Sequence, residues 1–220
     1  MDKNIICKGG TLHLIKIPER YTRSVEKSAR LALKEASELF EYRKPVEVVI
    51  FSSMPEIVIP ELGIGGHSLS QGDIVVDIDF IRKDIKKIIQ KELPSTILHE
   101  VSHVVRGSII KDPYATLLDS FVTEGIASYI EKHSYMNQVP YIKSIKNEEV
   151  LLKKAKKVFN KKNYTWKDHS EWFFGEGKLP RWIGYRLGYL IVSSYMGNNK
   201  DISVADLTRM KAIEILKGSE

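Results

Sequence analysis

The first third of the chain combines one helical hydrophobic repeat with several short apolar runs. Residues 19–43 carry apolar side chains three or four positions apart, which predicts one long amphipathic helix. Runs rich in β-branched residues at 11–17, 46–53 and 71–78 predict three strands. These patterns predict a small sheet packed on the helix. The side chains expected on the buried stripe of that helix are Val25, Ala29, Leu31, Leu33, Ala36 and Phe40.

From about residue 80 onward the hydrophobic repeat is helical. Pro94 is expected to end a first helix, because the residue before a proline avoids the α region, and Ser95 then caps the next helix, which Gly107 ends. The fold class predicted is α+β, as a single domain over 1–220 with an α+β lobe at 1–80 and a helical lobe at 81–220. The helices expected in the second lobe cover about 81–93, 95–106, 114–132 and 180–195.

Composition narrows the class of protein. Of the 220 residues, 43% are hydrophobic and 28% charged, which is typical of a folded globular chain. No apolar run reaches the roughly 20 residues of a membrane helix, and the amino terminus lacks the apolar core of a secretory signal. A cytoplasmic location without membrane insertion is therefore expected. Cys7 is the only cysteine, so a metal site would have to use histidine and carboxylate ligands.

The net charge of +6 raises the question of nucleic-acid binding, because lysine and arginine neutralise phosphates. Much of the excess lies in lysines between residues 143 and 162, whose helical spacing is typical of a solvated face. A nucleic-acid partner is accordingly not favoured.

The strongest chemical signal is the pentapeptide that runs from His99 to His103, which has the pattern HExxH. On a helix, residues four apart differ by about 40° in direction and about 6 Å in rise, so both imidazoles can face one ion. Glu100 lies about 100° further round, which suits a general base acting on water better than a ligand. The alternative is a pair of core histidines satisfied by protein groups. The apolar flanks predict a buried helix, whose His and Glu side chains need partners that a metal supplies.

A catalytic zinc site generally uses three protein ligands. The metzincin continuation fails, because Arg106 and Ile109 occupy its glycine and final histidine positions. Glu124, on the next predicted helix, is the expected third ligand, and the alternative is a surface glutamate. The following Gly125 suggests that the two helix backbones approach closely.

Three segments together resemble the YjaZ-like family of predicted zinc-dependent proteases. They are HEVSHVVRG, FVTEGIASYI and PRWIGYRLGYLIVSSY, and they cover roughly the last three fifths of the chain. The first two mark the gluzincin class of zinc peptidases, and the GYxxGY pattern in the third makes the family match more specific. The resemblance implies a zincin-like fold and one Zn²⁺ per chain, with mechanism better defined than substrate.

A zinc peptidase also needs a residue that orients a ligating histidine and a donor to the oxyanion. In thermolysin-like gluzincins an aspartate follows the ligand glutamate by four residues, but Ser128 stands there, so the residue that orients a histidine stays unassigned. Asp77 and Asp79 are alternatives, and Asp119 is poorly placed on its helix. Tyr185 and Tyr189 share a helix face and are the candidate catalytic donors to a developing oxyanion, with Tyr185 favoured, although packing aromatics give the same pattern.

The substrate is expected to bind at residues 63–79, just before the HExxH helix. A peptide adds there to an exposed strand near 73–79 through main-chain hydrogen bonds. Asp73, a loop-borne His67 and the more distant Arg186 are the predicted substrate-binding residues. His13, His133 and His169 lack motif context and are interpreted as structural or surface residues.

The sequence therefore predicts a zinc metallopeptidase that hydrolyses peptides or unfolded proteins. One alternative is a zinc-stabilised peptide-binding or chaperone-like protein with little turnover. A less favoured alternative is a basic nucleic-acid-associated protein. The oligomeric state and the physiological substrate are not encoded in any recognisable pattern.

Overall fold

The computed structural model describes residues 2–52, 57–69, 72–135, 139–161 and 163–220. These form two compact units: Met1–Ser108 with Glu131–Asn137, and Ile109–Ile130 with Gln138–Glu220. The lobe boundary predicted near residue 80 thus lies inside the first unit. Two ends of predicted strands, Ser53 and Gln71, lie outside the described residues.

The first unit contains a five-stranded mixed sheet. In chain order its strands are β1 (Lys3–Cys7), β2 (Gly10–Leu14), β3 (Val46–Phe51), β4 (Ile64–Ser68) and β5 (Asp73–Ile78). The spatial order is β1-β2-β3-β5-β4. Strands β2, β3 and β5 are parallel to one another, whereas β1 and β4 pair antiparallel at the two edges. The α+β class is confirmed, and β1 and β4 are strands that the hydrophobic pattern did not reveal.

Helix α1 (Glu19–Leu39) connects β2 to β3 and buries one face. The predicted stripe is confirmed at Val25, Ala29, Leu33 and Ala36, while Leu31 is wrong, since 56% of it is exposed. Ala32 takes the inward position instead, one residue further along. The apolar side of α1 therefore packs against α3 and β2, elements of the same unit.

The helix that carries the HExxH motif does not begin as the sequence predicts. A short α2 (Ile85–Lys87) runs through a π-helical turn, Ile88–Glu92, directly into α3 (Leu93–Gly107). Pro94 lies in the first turn of α3, where a missing N–H is tolerated, so the break expected at this proline is wrong. Ser95 makes no cap, and its hydroxyl is buried without a hydrogen-bond partner in the described chain. Gly107 ends the helix as predicted.

Helices make up most of the second unit. They are α4 (Leu117–Tyr135), α5 (Glu148–Lys156), α6 (Trp166–Phe173), α7 (Ile183–Asn198), α8 (Val204–Arg209) and α9 (Ala212–Gly218), of which α4 ends in residues of the first unit. Phe121 of α4 is fully buried and contacts Phe159, Trp172 and Phe173 at ring-centroid distances of 5.5 to 5.7 Å. Within the described ranges, no helix has both the length and the apolar character to cross a membrane.

Candidate metal centre

The HExxH motif forms a compact donor cluster on α3. One potential ligand atom from each of His99, Glu100 and His103 lies within 4.8 Å of the other two. The imidazole centroids are 4.9 Å apart, with their planes at 76°. His99 and Glu100 are buried, at 8% and 6% exposure. The four-residue spacing therefore brings both rings to one side of the helix, as predicted.

Glu131 supplies the partner that sequence analysis left unassigned for His99. Its Oε2 lies 3.1 Å from His99 Nδ1, and Glu131 is only 2% exposed. A carboxylate accepts, so the proton belongs on Nδ1 and the lone pair on Nε2, which is the nitrogen suited to a metal. The available signal was the position of Glu131 seven residues after Glu124, two turns along the same helix face.

Of the aspartates that the sequence offered for this role, Asp77 is buried in β5, and Asp79 accepts a hydrogen bond over 3.1 Å from the backbone N–H two residues later. Ser128, which stands where thermolysin-like gluzincins have an aspartate, is fully buried on α4. Asp119 is bonded to Thr116, whose hydroxyl is 2.6 Å from Asp119 Oδ2 and accepts from the Asp119 N–H, so this pair caps the start of α4. Asp119 is a helix-capping residue.

Replacing Glu131 tests its orienting role. In Glu131→Ala we expect zinc affinity to fall about 10- to 100-fold, because outer partners of ligating histidines typically contribute that much. Glu131→Gln keeps an acceptor oxygen and should lose less. Chelator competition measures the affinity for zinc. Equal affinity in wild type and Glu131→Ala would show that Glu131 does not support the metal site through His99.

Strand β4 lies against Glu100. A Cβ added at Gly66 would be 2.8 Å from Glu100 Cγ and 2.9 Å from Glu100 Oε1, so a larger residue there would have to displace this carboxylate. The strand predicted to be exposed, β5, is paired on both sides, and β4 is the edge strand. His67 therefore lies in a strand rather than a loop, with its side chain exposed, and Asp73 begins β5.

Glu124 belongs to the second unit and is 6% exposed. The Tyr114 hydroxyl donates to Glu124 Oε1 over 2.9 Å. The adjoining Gly125 does pack closely, but against α7: its added Cβ would lie 2.4 Å from the Gly188 carbonyl group. The reason inferred for Gly125 was close approach to the HExxH helix, and the contact observed for it is with α7 instead.

The two tyrosines of α7 that were predicted as oxyanion donors both contact other aromatic rings of the second unit. The centroid of the Tyr185 ring lies 4.9 Å from that of Tyr141 and 5.1 Å from that of Phe173. The ring centroids of Tyr189 and Tyr129 are 6.5 Å apart. Packing is thus part of what these tyrosines do, and their role as oxyanion donors stays a prediction.

Arg186 forms a two-pronged ion pair with Glu148, at 2.8 and 3.0 Å, and also donates to the Ile142 carbonyl. The hydrogen bonds from this guanidinium lower the pKa of Glu148 to about 2. Arg186 therefore holds the start of α5 and the segment before it. Its role in substrate binding stays a prediction.

His169 is a residue that the sequence gave no reason to single out. Its ring stacks 4.3 Å from Phe173, lies 6.0 Å from Tyr114, and places Nδ1 3.0 Å from the Tyr164 hydroxyl. Burial lowers the pKa of His169, and the negative charge of Glu124 opposes that shift. This histidine belongs to an aromatic cluster next to Tyr114.

The chemistry of the donor cluster fits zinc. Zinc is held by imidazole nitrogen when thiolates are absent, and here two imidazoles lie on one side of a buried helix with the Glu100 carboxylate beside them. The hydrogen bond from His99 to Glu131 is the kind of outer support that ligating histidines usually have.

Comparison with known proteins agrees with this geometry. The model of one family, DUF2268, described as predicted Zn-dependent protease, matches residues 25–217. Neither the curated proteins nor the solved structures gave a match. The matched range includes the HExxH helix, α4 and α7. The chain therefore belongs to DUF2268, the family of predicted Zn-dependent proteases.

Proposed function

We propose that this protein is a zinc metallopeptidase of the gluzincin type, with a zincin-like fold and one Zn²⁺ per chain held by His99, His103 and Glu124. The observation that carries the proposal is the buried His-Glu-His cluster, whose first histidine is oriented by Glu131. A structural zinc site has no use for a buried carboxylate between its histidines, whereas a hydrolase needs a base there.

The helical repeat of α4 supports Glu124 as the third ligand. Seven residues separate Glu124 from Glu131, which amounts to about 700° of rotation, so both project from nearly the same side of the helix about 10.5 Å apart along its axis. Glu131 already bonds to His99. Glu124 is buried and accepts a hydrogen bond, as ligating carboxylates commonly do.

The division of labour follows from these positions. Bound zinc supplies Lewis acidity, which polarises the scissile carbonyl and makes water more acidic. Glu100 accepts the proton of the attacking water and returns it to the leaving amine nitrogen. Gly66 keeps the Glu100 carboxylate against β4, which fixes the position of the base. Tyr185 and Tyr189 are the proposed donors to the oxyanion, with Tyr185 preferred.

The substrate is proposed to be a peptide or an unfolded protein that adds as a strand to β4. An edge strand offers main-chain N–H and C=O groups to an added strand, and an extended peptide satisfies them without requiring a particular sequence. At the start of β4 the Ile64 carbonyl already accepts from the Ile59 N–H over 3.1 Å, so the peptide is proposed to pair further along, toward His67. The exposed His67 would lie beside such a peptide, and Asp73 and Arg186 remain the other proposed contacts. Because Gly66 of β4 abuts Glu100, a peptide bound there runs past the base.

Gly66→Ala tests this arrangement. The new methyl group would displace the Glu100 side chain, so we expect peptide turnover to fall about 10- to 100-fold, the loss caused by a base misplaced by about 1 Å. Zinc content and folding should change little, because the contacted atoms belong to side chains, Glu100 and Thr96. Gly107→Ala is the control, since nothing lies within 4 Å of its added Cβ. Unchanged turnover in Gly66→Ala would contradict the placement of the base.

A peptide-binding or chaperone-like protein with the same fold is the second candidate, because the β4 edge can hold a peptide without cleaving it. The experiment that separates the two strips the protein with chelator, reloads it with zinc and digests a peptide library. Zinc-dependent cleavage supports the peptidase. Zinc binding and peptide binding without cleavage would instead support the binder.

A further inference from the structure

Tyr114, in the turn before α4, forms a hydrogen bond with Glu124, the proposed third ligand. Tyr114 Oη lies 2.9 Å from Glu124 Oε1 and donates to it. The donor engages one oxygen of the carboxylate. A hydrogen bond of this kind selects one rotamer of a side chain that otherwise has several.

The backbone around Tyr114 is tied to the same part of α4. Thr123, which is 1% exposed, donates through its hydroxyl to the Pro113 carbonyl over 2.8 Å. Two consecutive residues of the turn, Pro113 and Tyr114, are therefore each bonded to the residue ten positions later, Thr123 and Glu124. Asp112 also accepts from the Tyr114 N–H over 3.3 Å.

The Tyr114 ring is supported as well as its backbone. It meets the edge of the His169 ring at 6.0 Å and 77°. His169 is itself held between Phe173, at 4.3 Å, and the Tyr164 hydroxyl, at 3.0 Å. The ring whose hydroxyl bonds to Glu124 thus has aromatic neighbours that limit its movement.

We infer that Tyr114 is the positioning residue for Glu124, and that the turn of residues 112–116 pre-orients this carboxylate for zinc. The inference rests on the proposed function, in which Glu124 is a ligand. Tyr114, which lies outside the HExxH and Glu-Gly motifs, would then contribute to zinc affinity and not only to packing.

The test measures zinc dissociation constants by chelator competition on the full chain. Tyr114→Phe keeps the ring and its contact with His169 but removes the donor, and we expect zinc to bind about 10-fold more weakly. Tyr195→Phe is the matched control, because it removes a phenol of the same unit that donates to Met210 instead, and zinc affinity should stay within about twofold. Thermal unfolding of the metal-free variants reports whether each one folds.

A double-mutant cycle separates positioning from general damage. Glu124→Ala alone should weaken zinc binding, and adding Tyr114→Phe to it should cause no further loss if Tyr114 acts through the Glu124 carboxylate, because alanine leaves no oxygen to accept the hydrogen bond. The same additional loss in both backgrounds would overturn the inference, as would wild-type affinity in Tyr114→Phe while Glu124→Ala is impaired. If Glu124→Ala binds zinc like wild type, the ligand set of the proposed function itself is wrong.

Discussion

Glu100→Gln should keep its zinc and lose its activity, whereas His103→Ala should lose both. Glutamine has nearly the shape of glutamate but cannot accept the proton of the attacking water, so turnover should fall about 10²- to 10⁴-fold. Removing His103 takes one of two imidazoles from a cluster whose ligand atoms lie within 4.8 Å of one another. Zinc analysis of purified protein and a peptide-cleavage assay, run on both variants, measure the two effects.

His13→Ala is the control for this pair. His13 lies on β2, where it contacts Asn4 and Glu47 at 3.0 and 2.6 Å, so losing this imidazole should change neither zinc content nor turnover. Equal zinc loss in Glu100→Gln and His103→Ala would contradict the separation of base from ligand. Full activity in Glu100→Gln would exclude Glu100 as the base.

Gly188→Ala should destabilise the fold by about 2–3 kcal/mol, at the upper end of the range for overpacking. Its added Cβ would lie 2.0 Å from the Phe121 carbonyl oxygen and 3.2 Å from Gly125 Cα. Both contacts are backbone atoms of α4, so the strain cannot be relieved by rotating a side chain. The two helices would have to separate, which opens the aromatic contacts around Phe121.

Gly197→Ala, on the same helix, is the matched substitution. Apart from its own helix, no atom of the described residues lies within 4 Å of its added Cβ, and alanine favours helix over glycine by up to about 1 kcal/mol, so this variant should be neutral or slightly more stable. Urea and thermal unfolding of both proteins give the comparison. Similar stability for Gly188→Ala and Gly197→Ala would mean that α4 and α7 are not in backbone contact.

The donor cluster could be predicted from sequence because it is local. His99, Glu100 and His103 lie within five residues on one helix, and helix geometry alone fixes their relative directions. The α+β class followed from equally local patterns, such as the stripe along α1 and the run of β-branched residues in β3. Hydrogen-bond partners distant in sequence had no such repeat, and the link between His99 and Glu131 spans 32 residues.

Glycine and proline show where local rules gave the wrong result. The break expected at Pro94 failed because the π-helical turn of Ile88–Glu92 leads the chain into α3 with this proline in the first turn. Strand β4 contains Gly65 and Gly66 and was interpreted as loop, although pairing with β5 makes it an edge strand. Tertiary pairing overrides intrinsic preference in such segments.

The sequence by itself determined the helix that carries the donor cluster, the residue types of that cluster and the α+β composition, since each depends on spacing within a few turns or strands. Only the tertiary structure decided that Glu131 orients His99, that Gly66 borders Glu100 and that Tyr114 bonds to Glu124. Those contacts join segments whose separation along the chain carries no periodic signal, so they arise only when the folded backbone brings them within bonding distance.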